Sequence, residues 1–318
     1  MTMRNRLFAL PLLLSLPLHA ALEFRRAGHN LEVLVDGKLF TEYRSDTRVP
    51  CLYPLIGPSG AALTRHFPFK KNVPGEASDH PHHLSCWFTH GLVNGHDFWH
   101  KKDCRIVHKK FAALPDPPAG SNKASFTVLL EWTAGNKPVL RERRTYAFRV
   151  DDTRRSIEVA SALTPVDSDV LFGDTKEGSF ALRLAPTLRL KGKVAKGHIR
   201  NSENLTDEQV WGKRAKWVAY HGPDPNGEPV VVAILDHPGN LRHPAWWHAR
   251  DYGLLAANPF GQHHFEKKKN PRLGDYTLQK GRTLALRYLI LLHHGDFPTA
   301  NIDQAWKSFA SNQRGKPH

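Results

Sequence analysis

The sequence predicts a mainly β protein, built of antiparallel strands in one large domain and ending in a short C-terminal helix. Many short segments alternate apolar and polar residues, which is the pattern of a strand with one buried face. These segments are rich in β-branched and aromatic residues, and glycine or proline breaks separate them. A convincing helical pattern occurs only near the C-terminus, so we expect helices to contribute little to the core.

The first hairpin has the clearest signal. Residues 31–35 and 38–43 alternate on either side of Asp36-Gly37, a pair suited to a tight turn that needs positive φ at both positions. Further strands are predicted at residues 125–132, 145–150, 156–163, 180–184, 217–220, 230–235, 254–257 and 283–293.

The C-terminal helix is predicted from four apolar residues spaced as i, i+3, i+4 and i+7. They are Ile302, Ala305, Trp306 and Phe309. This spacing forms one apolar stripe, which we expect to pack on a sheet.

The first 20 residues are interpreted as a signal peptide. Arg4 and Arg6 give a positive start, and the apolar run 7–18 that follows is too short to cross a bilayer, which takes roughly 20 residues. We therefore predict a periplasmic or secreted protein without a membrane span. Residues 21–312 are predicted to form a single domain, and residues 313–318 a disordered tail.

The charge balance is strongly basic, with 45 Lys and Arg against 30 Asp and Glu and a formal charge of +15. A basic chain can attract polyanions, but these cations are scattered and no nucleic-acid-binding motif is present. We therefore predict no nucleic-acid partner. The three cysteines lack the paired spacing of a zinc site, and the sequence leaves the oligomeric state open.

The most informative segment is residues 79–100, where six histidines, two tryptophans and two aspartates fall within 22 residues. Imidazole can give or take a proton near neutral pH, and it is also a common metal ligand. If residues 82–90 form one strand, His82 and His90 share a face and His80 extends it. We predict His80, His82 and His90 as a proton-transfer cluster.

A second predicted element is the charged loop at residues 173–178. Asp174 or Glu177 is the expected carboxylate partner of the histidines. Lys176 is the expected stabiliser of a developing oxyanion, with Arg250 as the alternative.

Aromatic and polar residues around the segment 246–252 are typical of sugar binding, because aromatic faces cover a pyranose ring and polar groups bond its hydroxyls. Together with residues of the histidine-rich segment they make the predicted saccharide site. That site comprises Trp87, Asp97, Trp99, His243, Trp247, His248, Arg250, Tyr252 and Asn258.

A metal site is a competing interpretation. His80 and His82 are the candidate ligands for zinc, copper or iron. A complete ligand set would need Asp97, His243 or His248 as well. The spacing matches no strong metal signature, so a divalent transition-metal cofactor is left open.

Four segments also resemble a bacterial family of unknown function that is often labelled PmoA-like. They are residues 79–99, 173–186, 235–261 and 284–296. The label names a subunit of membrane methane monooxygenase, for which this chain lacks the transmembrane helices. The family is similar to galactose-mutarotase-type proteins. That resemblance implies a β-supersandwich, a large two-sheet sandwich that holds a carbohydrate on a concave face and acts on it with histidine and a carboxylate.

We therefore predict an exported carbohydrate-active protein that performs acid/base chemistry on a saccharide, as an epimerase, mutarotase or lyase. A non-catalytic glycan-binding protein is the first alternative, for which aromatic residues matter and histidines do not. A metal-dependent oxygenase or hydrolase built on the histidine cluster is the second.

Overall fold

The computed structural model describes residues 20–312. The predicted signal peptide lies outside the described residues except for Ala20, and the predicted tail at 313–318 lies wholly outside them. None of the helices in residues 20–312 is long and apolar enough to span a membrane.

Residues 20–312 form eighteen strands and two α-helices, joined by turns and short 3-10 segments. The strands are β1 Leu22–Ala27, β2 Asn30–Val35, β3 Lys38–Arg44, β4 Cys51–Tyr53, β5 Cys86–His90, β6 Cys104–Ala113, β7 Lys123–Ala134, β8 Lys137–Val150, β9 Arg154–Pro165, β10 Val170–Phe172, β11 Gly178–Arg183, β12 His198–Asn201, β13 Trp217–Pro223, β14 Pro229–Asp236, β15 Trp246–Ala249, β16 Leu254–Asn258, β17 Tyr276–Leu278 and β18 Leu284–His294. The helices are α1 Gln262–Glu266 and α2 Ile302–Ser311.

Two eight-stranded antiparallel sheets make up the fold. The first has the order β1-β2-β3-β4-β5-β11-β16-β15 and the second β12-β13-β14-β18-β9-β8-β7-β6, while β10 and β17 form a small third sheet. Phe88 of β5 packs edge-on against Trp132 of β7 with ring centroids 5.8 Å apart. Phe180 of β11 stacks on Tyr288 of β18 at 4.8 Å. These contacts join the inner faces of the two sheets, so the predicted antiparallel β-sandwich is confirmed.

Two local predictions are confirmed in detail. β2 and β3 are joined by Asp36 and Gly37, whose φ values of 50° and 73° are both positive, as the tight turn requires. α2 packs Ile302 and Phe309 onto the outer face of the second sheet, against β13, β14 and β18. Its apolar stripe therefore does what the spacing predicts.

A groove of about 1320 Å³ runs over the outer face of the second sheet beside α2. Ala147, Ala160 and Ala285 line it, together with the exposed side chains of Arg143 and Arg149. The groove belongs to a different sheet from the histidine-rich segment, whose strand β5 lies in the first sheet.

Candidate functional site

The histidine-rich segment lies on the outer face of the first sheet. Cross-strand pairing places Trp87 of β5, Ala181 of β11, Ala256 of β16 and His248 of β15 in one row. Residues paired directly share a face, and Phe88, the next residue of β5, points into the core, so this row points outward. The loops that precede β5 and β11 and the turn that follows β15 cover the row.

The strand predicted to start at His82 begins instead at Cys86. His80 has a left-handed backbone with a φ of 45°, and the N–H of His83 donates to its carbonyl at 2.9 Å, which closes a turn. Alternation of faces applies only within a strand. The predicted convergence of His80, His82 and His90 on one strand face is therefore wrong.

His90 lies in the interior. Its Nε2–H donates to the carbonyl of Gly173 at 2.8 Å, and the hydroxyl of Ser179 donates to its Nδ1 at 3.4 Å. Its ring packs on Phe260, with centroids 4.6 Å apart. Burial lowers the pKa of His90 to about 4, so the imidazole is neutral near pH 7. This buried histidine ties β5 to the loop before β11, so it supports the fold and does not face a ligand.

The burial of His90 predicts acid sensitivity. Its pKa is about 4 when folded and about 6.5 when unfolded, so the unfolded chain binds more protons between these values. The stability contributed by the neutral imidazole is fully present above pH 6.5 and is lost as the pH falls toward 4. Between pH 7 and pH 4.5, we expect the unfolding free energy of the wild type to fall by about 2–3 kcal/mol more than that of His90→Gln, as measured by urea denaturation. An identical pH dependence in the two proteins would contradict this role.

Asp79 is held by two buried arginines that the sequence did not indicate as site residues. Arg183 Nη2 donates to both its carboxylate oxygens, at 2.9 and 3.2 Å, and Arg65 Nη1 donates to Oδ1 at 2.5 Å. Partial burial acts against the charge of Asp79, but Arg183, the hydrogen bond from His80 and Arg65 together outweigh it and hold the pKa of Asp79 below its usual value. Asp79 is therefore an ionised carboxylate in a fixed position.

Arg65 also fixes the backbone of residues 77–83, which we call the histidine loop. Its guanidinium donates to four carbonyl groups of this loop. They belong to Ala77, Asp79, His80 and His83, at 3.2, 3.0, 3.0 and 3.2 Å. Burial, with Arg183 nearby, lowers the pKa of Arg65 to about 10, so the group stays charged at neutral pH. This clamp supports the left-handed backbone of His80, which residues with a side chain rarely adopt.

His80 pairs with Asp79 through Nδ1, which lies 2.9 Å from Oδ2. Because an ionised carboxylate only accepts, Nδ1 carries the proton of this hydrogen bond, and Nε2 is the ring nitrogen that does not face Asp79. The ring stacks on His83 at 4.6 Å and on Tyr252 at 5.3 Å, and 41% of the side chain is exposed. His80 is thus an oriented and accessible imidazole.

His82 lies beside His80, with ring centroids 5.7 Å apart, and meets His100 edge-on at 4.5 Å. Burial, with His100 as the second cause, lowers the pKa of His82 to about 4. Its buried Nε2 has no hydrogen-bond partner within residues 20–312. Asp97 holds His100 at 2.9 Å and accepts the backbone N–H of Trp99, so its role here is to shape the turn.

Tyr252 connects the histidine loop to Arg250 and to the loop at 173–178. The guanidinium carbons of Arg183 and Arg250 lie 4.5 and 5.4 Å from its ring centroid. Burial, with a smaller contribution from the nearby carboxylate of Glu177, raises the pKa of Tyr252, so the phenol stays protonated at neutral pH. Its hydroxyl makes no hydrogen bond to any described residue.

The two predicted carboxylates have different roles. Asp174 is buried, and its Oδ2 accepts the backbone N–H groups of His263 and Gly274 at 2.7 and 2.6 Å. It fastens α1 and the segment after it to the sheet, which contradicts its predicted place among the reacting groups. Glu177 is accessible, with 24% of its side chain exposed and Oε1 3.8 Å from Nζ of the exposed Lys176.

Two predicted residues position the loop at 173–178. Asn258 is buried and donates from Nδ2 to the carbonyl of Thr175 at 2.8 Å. His248 Nδ1–H donates to the carbonyl of Lys176 at 3.1 Å. Burial, with the charge of Arg250 as the second cause, lowers the pKa of His248 to about 3. Both side chains therefore act as supports beneath the surface.

Two other predicted residues lie elsewhere in the fold. Trp247 is buried in the core and donates from Nε1 to the carbonyl of Ala215 at 2.9 Å. His243 pairs with Asp236 at 2.8 Å and stacks on Trp306 of α2. Neither contacts the histidine loop, so the predicted grouping of these two residues with the rest of the site is wrong.

Trp87 and Trp99 lie beneath the histidine loop. His83 stacks on Trp87 at 5.5 Å, and the two indoles are 5.3 Å apart. Both are buried, so they support the loop and are not exposed to a ligand. The groups that remain accessible, at least in part, form what we call the Tyr252 surface: His80, His82, Glu177, Arg250 and Tyr252.

The ligand set expected for a metal is not assembled. His80 and His82 are neighbours, but residues 20–312 contain no group of three His, Cys, Asp or Glu side chains arranged to hold a metal ion. His243 lies against α2, and His248 lies beneath the loop at 173–178.

The fold and this surface define a two-sheet β-sandwich protein with a histidine-rich site on one outer face. Residues 30–307 match the model of DUF6807, a family of unknown function, and the chain belongs to that family. No curated protein matches the chain. The PmoA-like resemblance stays a prediction.

Three solved structures are similar to this chain. A galactose mutarotase-like protein from Lactobacillus casei has 8% identity and a TM-score of 0.35, over 86% of this chain and 100% of that chain. A galactose mutarotase-like protein from Clostridium acetobutylicum has 9% identity and a TM-score of 0.35, over 87% and 99%. The galactosidase domain of the alpha-galactosidase-sucrose kinase AgaSK has 9% identity and a TM-score of 0.33, over 65% of this chain and only 29% of that chain. Likeness at this level says nothing about the site.

Proposed function

We propose that this protein binds a saccharide at the Tyr252 surface and transfers protons on it. The observation that supports this most directly is the pairing of His80 with Asp79. A carboxylate that accepts the Nδ1–H of an imidazole orients the ring as a base, and here Arg65 and Arg183 fix that carboxylate in turn. A solvated surface histidine would not require two buried arginines behind its partner.

The surface also holds a proton donor. His80 Nε2 would accept a proton from a sugar hydroxyl or a ring C–H. The protonated phenol of Tyr252, whose ring lies 5.3 Å from that of His80, would donate one to the sugar. Epimerase, mutarotase and lyase chemistry all use a base and an acid on one sugar ring.

The same groups suit a saccharide as the ligand. The partly exposed rings of His80 and Tyr252 offer apolar surface to the C–H groups of a pyranose. Glu177 can accept hydrogen bonds from hydroxyl groups, and Arg250 can donate them. The place of action is proposed to be the periplasm or the medium, on the strength of residues 1–20 alone.

His80→Ala is expected to lower turnover at least about 100-fold, because a positioned general base contributes on that order or more. Proton NMR in D₂O with D-galactose, D-glucose and D-glucuronate follows both the interconversion of anomers and deuterium incorporation at ring carbons. These signals report proton transfer whichever product is formed. His96→Ala changes an exposed histidine of the same segment and should leave the rates unchanged.

Wild-type rates retained by the His80→Ala variant would overturn the assigned base. Saccharide binding with no exchange in any of the proteins would instead support the non-catalytic glycan-binding alternative.

A further inference from the structure

Arg250 has an unusual environment for a half-buried cation. It follows β15, and its guanidinium carbon lies 5.4 Å from the ring centroid of Tyr252. Its Nε is buried and has no hydrogen-bond partner in the part of the chain that the structure describes. None of its other side-chain nitrogens bonds to a residue between 20 and 312. A guanidinium taken partly out of water without a hydrogen-bond partner loses hydration that ring stacking alone does not replace.

Unlike Arg250, the two neighbouring buried arginines of this face have a carboxylate partner. Arg183 and Arg65 share the carboxylate of Asp79. The carboxylate next to Arg250 in the chain and the one in the loop at 173–178 each lie beside a lysine. They are Asp251, which pairs with Lys191 at 3.3 Å, and Glu177, whose Oε1 faces Lys176 at 3.8 Å. The protein therefore supplies Arg250 with a stacking partner, Tyr252, but with no anion.

The charge around Arg250 favours an anion from outside. Lys176, with 47% of its side chain exposed, belongs to the loop at 173–178, whose Glu177 lies near Tyr252 as Arg250 does. The positive charges of Arg250 and Lys176 are both among the causes that lower the pKa of His248 beneath them. A carboxylate fits a planar guanidinium well, because two parallel N–H groups can donate to its two oxygens.

We infer that the saccharide bound at the Tyr252 surface carries a carboxylate, as a uronic acid residue does, and that Arg250 binds this carboxylate. This inference rests on the proposed function, because it concerns the same surface. The carboxylate on Arg250 places the sugar ring beside Tyr252, and the stacked ring of His80 lies 5.3 Å further on. The substrate class is therefore acidic saccharides, and neutral sugars bind without their strongest contact.

The test compares matched ligands that differ only in the carboxylate. Isothermal titration of the full protein uses methyl β-D-glucuronide against methyl β-D-glucoside, and methyl α-D-galacturonide against methyl α-D-galactoside. We expect one uronide to bind about 10- to 100-fold more tightly than its neutral partner at low salt, the size of a charge-assisted bidentate contact. Arg250→Gln should abolish this preference, and Arg250→Lys should keep part of it. Arg105→Gln, at an exposed arginine of β6 on the other sheet, should keep all of it.

Each outcome decides between the two proposals. Equal binding of the uronide and the neutral glycoside overturns the carboxylate inference and leaves saccharide binding in place. A uronide preference that survives in folded Arg250→Gln protein shows that another cation binds the carboxylate and overturns the role of Arg250. Failure of all four glycosides to bind, with no proton exchange in the NMR experiment, overturns the proposed function as well.

Discussion

Replacing Arg65 by alanine is expected to abolish saccharide binding at the Tyr252 surface and to lower the unfolding free energy by about 3 kcal/mol. The guanidinium is only 3% exposed, and it is the shared partner of the Asp79 carboxylate and of four loop carbonyls. Without it the loop carbonyls lose this donor, Asp79 loses one of its two arginines, and the left-handed backbone of His80 loses its support. The histidine loop would then leave the position in which His80 stacks on Tyr252.

Three measurements test the effect of the Arg65→Ala substitution. Urea denaturation gives the unfolding free energy, and calorimetric titration gives saccharide binding. Because His83 stacks on Trp87, release of the loop also changes the tryptophan fluorescence of the folded protein. Arg65→Lys keeps the charge but cannot reach all the acceptors, so we expect an intermediate effect. Arg25→Ala, at a side chain that is 62% exposed, should change stability by less than about 1 kcal/mol.

A folded Arg65→Ala protein that binds saccharide and unfolds like the wild type would show that the loop holds its shape without the clamp. The positioning of His80 by Asp79 would then have to come from Arg183 alone, which also contacts His83 at 3.3 Å.

Local regularities of this fold can be predicted from the sequence. The β2–β3 hairpin follows from alternation around Asp36 and Gly37, and α2 follows from its apolar stripe, because both signals act between near neighbours. The strand order of the first sheet is a different matter. β5 lies between β4 and β11, and β11 also pairs with β16. These three pairings join segments that are far apart in the sequence, which no local pattern encodes. The row of residues beneath the Tyr252 surface depends on that order.

The prediction from side-chain alternation along a strand fails in the histidine-rich segment. Alternation predicts one strand from His82 to His90, but the strand covers only the last five of these residues, and the left-handed His80 turns the chain before it. The role of Arg183 could have been suspected from the sequence. It is a charged residue within the strand β11, which is fully buried, and a buried charge needs a partner. Arg65 had no such signal, since it lies in an irregular segment 14 residues before Asp79.

The loop at 173–178 illustrates a second limit. Asp174 and Glu177 look equivalent in sequence, as charges between two glycines. Asp174 is committed to the backbone of His263, 89 residues further along, whereas Glu177 stays accessible. Composition cannot separate a carboxylate that fastens two elements from one that faces a ligand, because the difference lies in which distant segment arrives beside it.

Breaking the buried ion pair of Glu142 and Arg144 is expected to cost about 3–5 kcal/mol of unfolding free energy in either single variant. Their side chains are 0% and 1% exposed, and Arg144 donates to the two carboxylate oxygens at 2.6 and 2.8 Å. Trp132 Nε1 donates to the same carboxylate at 2.7 Å, and the Ser161 hydroxyl donates as well. Glu142→Gln leaves a buried guanidinium without an anion, and Arg144→Met leaves a buried carboxylate without a cation.

The double variant, Glu142→Gln with Arg144→Met, should regain most of the loss. The glutamine carbonyl can still accept from the indole of Trp132, methionine fills the space of the arginine stem, and no charge is buried. Urea denaturation of the four proteins forms a double-mutant cycle, in which we expect a coupling energy of at least about 2 kcal/mol. Glu32→Gln, at the exposed pair with Arg25, is the matched control and should change stability by less than about 1 kcal/mol.

Simple addition of the two single losses would mean that Glu142 and Arg144 do not act as a unit. The pair lies between the sheets, where Arg144 packs over the ring of Phe88, on the opposite face of β5 from Trp87 and the histidine loop. Saccharide binding by the folded double variant should therefore equal that of the wild type. That result, set beside the loss of binding in Arg65→Ala, would separate the charges that hold the sandwich together from those that build its outer site.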